Sequence, residues 1–469
     1  MKLPYGIADF HKVVTQDYFY ADRTSRIASL EKAGDHLLFL RPRRFGKSLV
    51  LSMLENYYDL ARSDQFERLF GHLKIGQNPT PLHNRYFVMR WDFSTVASHG
   101  DTRAIEQALH DHVNVCVQGF TDRYREQLPQ VSPINPDNAL ASFHTLVNAV
   151  NRTPYRFYLF IDEYDNFANE VMAAQVGVRP GGEDRYATLV HGEGILKTLF
   201  KVIKALSSGQ GLDKVFITGV SPVVMSDISS GYNVARDISF RPEYHDLCGF
   251  HDSEVAGVLE RIGQECGLTN TQVAEALAMM RTFYNGYHFG YAAGPLLYNP
   301  TLALYFLDEY WRDCAYPRKI LDDNLAMDRN CIEYIARLPH GNELVTRALD
   351  STDSILIGEL ANRFGVEDML TATRDQPFLA SLIYYLGVLT IAGGDSMGRL
   401  VLTIPNLVIR RLYVERIRDA LLPEYEDRET ARRAADTSTP AVISSPCAIS
   451  SSPVILKCST TGIIAGAMS

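Results

Sequence analysis

The feature that most restricts how this chain can fold is an apolar run that ends in a basic, glycine-containing loop and continues as an amphipathic helix. Residues 36–40, His-Leu-Leu-Phe-Leu, have strand length and no polar position after His36. They lead directly into Arg41-Pro42-Arg43-Arg44-Phe45-Gly46-Lys47-Ser48. Beyond the loop, Val50, Leu51, Leu54, Tyr57 and Tyr58 recur at helical spacing. Strand, tight loop and helix in that order leave unpaired backbone N–H groups at the helix start, where the helix dipole also favours an anion. The loop is one position short of Gly-x-x-x-x-Gly-Lys-Ser/Thr, with Arg41 where the first glycine is expected. In that chemistry the backbone of Arg43, Arg44, Phe45, Gly46, Lys47, Ser48 and Leu49 wraps phosphate oxygens. The Lys47 ammonium meets the β- and γ-phosphates of ATP, and the Ser48 hydroxyl meets Mg²⁺. A Gly-Lys-Ser triplet alone is common by chance, so the flanking pattern and a downstream acidic partner carry the argument.

Three further apolar runs have strand length: residues 85–91, 156–161 and 214–218. Each is separated from the next by helix-length sequence, the pattern of a parallel sheet covered on both faces. The run Phe-Tyr-Leu-Phe-Ile at 157–161 ends in Asp162-Glu163. An apolar strand tipped by two carboxylates suits Asp162 to holding Mg²⁺ through water and Glu163 to polarising an attacking water. The bland alternative is two exposed acids where a strand leaves its sheet. Thr218 ends the next strand, where a hydroxyl could sense the γ-phosphate or satisfy a turn.

The remaining chain predicts mainly helices. Residues 254–262 and 271–280 read as a helical lid. Residues 354–364 and 378–386 read as two helices, followed by a hairpin of 387–391 and 400–404. Together these make a weak winged-helix pattern, and an amphipathic helix over 407–422 follows. The domain expectation is therefore a P-loop α/β core with a parallel sheet at 1–250, a lid at 251–345, a winged-helix-like module and connecting helix at 346–433, and a tail at 434–469. Residues 436–469 hold no Phe, Tyr or Trp, only Asp436 and Lys457 as charges, and 12 Ser or Thr. Such a tail cannot offset its ordering entropy and is expected to be disordered. The abrupt change of composition after Arg433 reads as a longer coding sequence interrupted by a frameshift.

Forty-six Lys and Arg against 55 Asp and Glu give a net charge of −9, which excludes a non-specific nucleic-acid coat. Seven cysteines with no Cys-x-x-Cys pair read as reduced thiols in a cytoplasmic protein. The uncharged stretch after Gln376 carries Pro377 and Gly387, and reads as a buried helix running into a strand rather than a membrane span.

Weaker candidates have ordinary alternatives. His110, His112 and Cys116 read as a solvated helix face rather than a metal cluster. Arg236 and Arg241 are arginine-finger candidates, outweighed by surface roles. Tyr284, Tyr287 and Phe289 read as packing residues. Arg43 and Arg44 suit a place beside phosphates or on the surface at least as well as a nucleic-acid contact. No Gly-x-Ser-x-Gly elbow is present.

Taken together, the chain resembles the AAA-ATPase-like family, of the STAND/AAA+ neighbourhood, whose members often carry a C-terminal PD-(D/E)XK nuclease domain. The resemblance rests on Pro4-Tyr-Gly-Ile-Ala-Asp-Phe10, Phe39-Leu-Arg-Pro-Arg-Arg-Phe-Gly-Lys-Ser-Leu49, Asp92-Phe-Ser94, Ile161-Asp-Glu-Tyr-Asp165 and Phe216-Ile-Thr-Gly-Val-Ser-Pro222. It continues through the 230–239 segment, Tyr284-Asn-Gly-Tyr-His-Phe289, Leu297-Tyr-Asn-Pro300 and Ile404-Pro-Asn406. It implies an AAA+-like ATP site at Lys47, Ser48, Asp162 and Glu163, and makes Arg41 a family habit. A nuclease centre would need an Asp and a Glu-x-Lys pair after residue 422. Beyond Arg433 stand one Asp, one Lys and no Glu, so no nuclease activity is expected. The expectation is a Mg²⁺-dependent ATPase, the regulatory part of a truncated ATPase–nuclease. The rival is a non-hydrolysing, nucleotide-dependent interaction module. A second copy, a protein partner and nucleic acid all stay open as partners.

Overall fold

A computed structural model describes residues 1–97, 100–129, 131, 133–166, 194–222, 232–292, 294–320, 344, 347, 354–361, 364 and 375–412. The expectations for the tail and the nuclease centre lie outside the described residues, as does most of the 407–422 helix.

The apolar runs form one parallel sheet. Its strands are β1 (His36–Leu40), β2 (Tyr86–Asp92), β3 (Arg156–Asp162), β4 (Leu212–Gly219) and β5 (Arg236–Asp237), in the order β2-β3-β4-β1-β5. Four of them fall within one or two residues of the sequence expectation. The fifth is a two-residue, exposed edge strand with no apolar alternation, so its sequence carried no strand signal. In the central strands almost every residue is buried, because helices cover both faces.

Those helices are α1 (Phe10–Thr15), α2 (Ile27–Ala33), α3 (Lys47–Tyr58), α4 (Phe66–Phe70), α5 (Thr102–Arg123), α6 (Ala139–Val150) and α7 (Ile195–Ser207). Neighbouring strand residues point to opposite faces. Phe157 meets Phe120 of α5 and Phe143 of α6, at ring separations of 5.0 and 5.9 Å. Tyr158, one residue on, meets Tyr58 of α3 at 5.1 Å. Thus α5 and α6 cover one face, and the helix that follows the Gly46 loop covers the other.

Register brings the site together. Leu40 pairs with Gly219, Ile161 with Ile217 and Asp92 with Asp162. The C-terminal ends of β1, β3 and β4 therefore share one edge of the sheet, where the Arg41 N–H donates to the Gly219 carbonyl at 3.2 Å.

The second half begins with α8 (Asp252–Cys266), α9 (Asn270–Phe283) and α10 (Pro300–Asp313), in the segment read as a lid. A smaller antiparallel sheet follows, with β6 (Ile355–Ile357), β7 (Thr390–Gly394) and β8 (Leu400–Thr403) in the order β6-β8-β7, and α11 (Gln376–Tyr385) beside it. The helix expected at 354–364 is corrected at its start. Ile355 and Ile357 are buried and Leu356 is exposed, the period-2 pattern of a strand paired with β8. No helix among the described residues is long and apolar enough to cross a membrane. Residues 376–394 are instead a buried helix running into β7.

One expectation fails outright. Cys266 and Cys314 are joined in a disulfide, with Cα atoms 5.6 Å apart, rather than standing as reduced thiols. The pair closes the C-terminal ends of α8 and α10, which are 48 residues apart in sequence. Sequence spacing gives no sign of a pairing made by two helices packing side by side. Among the described residues Cys116 and Cys248 are free.

Candidate functional site

The loop between β1 and α3 turns through two left-handed residues, Arg44 at φ 64° and Gly46 at φ 98°. Glycine reaches that region at no steric cost, and a side chain at 46 would be strained there even though the space around it is open. Lys47 starts α3 and is 4% exposed. Its Nζ donates back to the carbonyls of Arg41 at 3.0 Å and Pro42 at 3.2 Å. Burial lowers the Lys47 pKa, and the nearby carboxylates of Glu163, Asp162 and Asp165 oppose that shift. Ser48 and Leu49 are half-buried on the first turn of the helix. The Phe45 ring is in the core, edge-on to Tyr287 and Phe289 at 4.9 and 5.0 Å, so only its backbone could serve a ligand.

The acidic half stands at the tip of β3. Asp162 is 1% exposed. Its Oδ1 accepts the Thr218 hydroxyl at 2.6 Å and the Glu163 N–H at 3.1 Å, and its Oδ2 pairs with Arg90 of β2. Glu163 is left-handed, with φ 48°, a conformation costly for a side-chain-bearing residue and concentrated at functional sites. Burial raises its pKa. Lys47 and Arg43 pull it down, while Asp162 and Asp165 push it further up. The site therefore joins a buried ammonium and two carboxylates that feel one another across the sheet edge. Thr218 is fully buried and orients Asp162.

Three residues have structural roles that the sequence reading did not assign. Asp165 is buried and accepts the N–H groups of Val220 and Ser221 and the Ser221 hydroxyl, holding the turn after β4 against the acidic tip. Its place in Ile161-Asp-Glu-Tyr-Asp165 was the only available signal. Arg90 showed only as a charge inside an apolar strand. Arg41 is 1% exposed and points away from the loop. Its Nη1 donates to the carbonyls of Leu40 and Ser239, both at 2.8 Å, and its Nη2 to Tyr244 at 3.0 Å. Its guanidinium lies 4.5 Å from the Phe39 ring centre and 4.3 Å from that of Phe289. Burial lowers its pKa to about 10. Arg41 bolts the loop to the 239–245 segment.

A neighbour of this bolt makes stability depend on pH. His245 Nε2 lies 2.7 Å from the Pro295 carbonyl and its Nδ1 accepts the Phe289 N–H at 3.4 Å, which fixes a neutral tautomer. Burial, with His288 and Arg41 adding, lowers its pKa to about 4, while the Pro295 carbonyl and Asp246 oppose the shift. The unfolded chain therefore binds one more proton between about pH 6.5 and 4, so this contribution is complete above that window and is lost as pH falls through it. Acidification from pH 7 to 4 is expected to remove on the order of 3 kcal/mol through this group. His245→Gln should flatten the pH dependence of the melting temperature in that window.

Other candidates do not converge here. Arg236 pairs with Leu37, well back from the strand tip, and its side chain donates to the Ala33 carbonyl at 2.5 Å. Arg241 is exposed after β5. His110, His112 and Cys116 lie on α5, where His112 meets Thr95 at 3.2 Å. Among the described residues no group of three His, Cys, Asp or Glu could hold a metal ion. Arg43 reaches Asn166 across the mouth of the site.

The chain is similar to several known proteins. An uncharacterised protein from the vnfD 5′ region of Azotobacter chroococcum mcd 1 is 26% identical over 441 residues, covering 90% of this chain and 71% of that protein. Among solved structures, a Walker-type ATPase of Pyrococcus abyssi is 14% identical, with a TM-score of 0.47, covering 88% of this chain and 98% of that one. The Aeropyrum pernix ORC2 protein, solved in ADPNP–ADP complexes, is 14% identical, with a TM-score of 0.38, covering 90% and 98%. At such scores the fold assignment stands on the sheet order and the loop themselves. Residues 4–229 match the family model described as a predicted AAA-ATPase. Over that segment the chain is similar to the AAA-ATPase-like family.

Proposed function

We propose that this chain binds ATP with Mg²⁺ at the edge of the sheet and hydrolyses it. One observation supports the reading above all: strand register brings the ends of β1, β3 and β4 to one edge of the sheet, where buried Lys47 opens a helix and its ammonium and the Glu163 carboxylate feel each other's charge. That donor set fits a polyphosphate with a divalent cation. A buried ammonium whose acceptors are two loop carbonyls can exchange them for phosphate oxygens, and a buried carboxylate balances a cation.

When bound, Mg²⁺ and ATP supply the electrophilic phosphorus and much of the charge neutralisation. Lys47 turns from the Arg41 and Pro42 carbonyls to the phosphates, with the N–H groups of residues 43–49 around them. Ser48 and Asp162 would hold the cation, with Thr218 and Arg90 keeping the Asp162 carboxylate in place. Glu163 takes the proton of the attacking water, a task that its raised pKa suits. Thr218 keeps Asp162 in register.

Titrating the purified chain with ATP, with and without Mg²⁺, tests the site. Saturable binding that tightens with Mg²⁺ is expected, and Lys47→Ala should weaken it by about tenfold or more, the loss of one charge-assisted contact. No binding in the unmutated chain would refute the reading. Binding without phosphate release would favour the non-hydrolysing module.

A further inference from the structure

Arg90 lies between two acids. On one side its Nη2 pairs with Asp162 Oδ2. On the other its Nη1 stands 3.5 Å from Glu55 Oε1, on the helix that begins at Lys47. That second contact is incomplete. Glu55 Oε1 is buried and accepts no hydrogen bond, and Arg90 Nε is buried and donates none. Leaving such atoms unpaired inside a protein is costly, and here both belong to one pair. The guanidinium therefore has a completed contact at the cation-holding carboxylate and an uncompleted one a short side-chain movement away.

We propose that Arg90 is a positioning residue that exchanges between two acids: it neutralises Asp162 while no divalent cation is bound, and passes to Glu55 when the cation arrives. The proposal rests on the ATP-site reading above. It explains why a permanent cation can sit beside a carboxylate that must attract another. A guanidinium fixed on Asp162 would repel Mg²⁺, whereas one received by Glu55 stays paired and leaves Asp162 its charge. Arginine suits the task because its planar fork can face two carboxylates at once, which a lysine ammonium does less well.

The test reads cation affinity rather than turnover, using Mn²⁺ as a paramagnetic probe with a saturating non-hydrolysable ATP analogue. Glu55→Gln removes the receiver and is expected to weaken Mn²⁺ binding by about tenfold, while Arg90→Met removes the competitor and should tighten it by a similar factor. In the Arg90→Met background, Glu55→Gln should change Mn²⁺ affinity by less than about twofold, since the two residues then share no partner. A residue that merely supports the fold would weaken binding in both single variants. Equal weakening, or additive effects in the double variant, would overturn the exchange while leaving the ATP site standing. If Arg90→Met does not fold, Arg90→Gln, which keeps polar contacts but carries no charge, replaces it, and loss of the Glu55→Gln effect in that background supports the exchange, whereas an unchanged effect refutes it. Failure of the unmutated chain to take up the ATP analogue at all would refute both readings.

Discussion

Glu163→Gln is expected to slow phosphate release from ATP by about 10²- to 10⁴-fold while changing ATP affinity by less than about threefold. The two carboxylates at the tip of β3 have different surroundings. Asp162 is fully buried and held by Thr218, Arg90 and a backbone N–H, so it is oriented. Glu163 is partly open, and its pKa is raised by burial against the pull of Lys47 and Arg43. Two acids whose environments separate their tasks are the usual basis for assigning one to a cation and the other to a proton. Glutamine keeps the size of the side chain and removes only its basicity. A rate unchanged in a single-turnover phosphate assay, with the variant still binding ATP, would remove Glu163 from the proposed chemistry. Equal losses of affinity and rate would mean that Glu163 shapes the site rather than acting on water.

The second large effect concerns Arg41. Arg41→Gly restores the glycine of the general phosphate-loop pattern, yet it is expected to destabilise the chain. The side chain donates to the carbonyls of Leu40, Ser239 and Tyr244, and lies against the Phe39 and Phe289 rings. Its removal leaves those carbonyls buried without that donor and opens a cavity at the base of the loop. The expected cost is about 3–5 kcal/mol, from lost charge-assisted hydrogen bonds and lost packing. For a cooperative unit of about 250 residues that corresponds to a fall in melting temperature of roughly 6–10 °C. Arg41→Lys should recover only part of it, because an ammonium cannot reproduce the planar fork. Differential scanning calorimetry decides the matter: a variant as stable as the unmutated chain, with tighter ATP binding, would return Arg41 to the phosphate site.

Much of the core was legible because it is local. The four main strands showed as apolar runs, since both of their faces are covered and no polar alternation interrupts them. Asp162 ends one such run and Lys47 opens the helix that follows another, so both could be placed once the strand ends were found. Where the local pattern was thin, the reading erred or stopped. The strand at Ile355–Ile357 is too short to declare its period against the helical segments around it, and β5 has no apolar residue at all.

The sequence by itself therefore determined that a basic glycine loop and an acidic strand tip would exist, because a strand, a tight turn and a helix each follow from neighbouring residues. Only the tertiary structure decided which charges answer one another. It turned Arg41 inward to bolt the loop and set Arg90 between Asp162 and Glu55. It also fixed His245 as a neutral ring beside a buried guanidinium, and joined Cys266 to Cys314. Each of these depends on elements far apart along the chain being packed together. In that low-dielectric interior a charge is stable only with a partner, and the partner is supplied by sheet order and helix packing rather than by sequence neighbours.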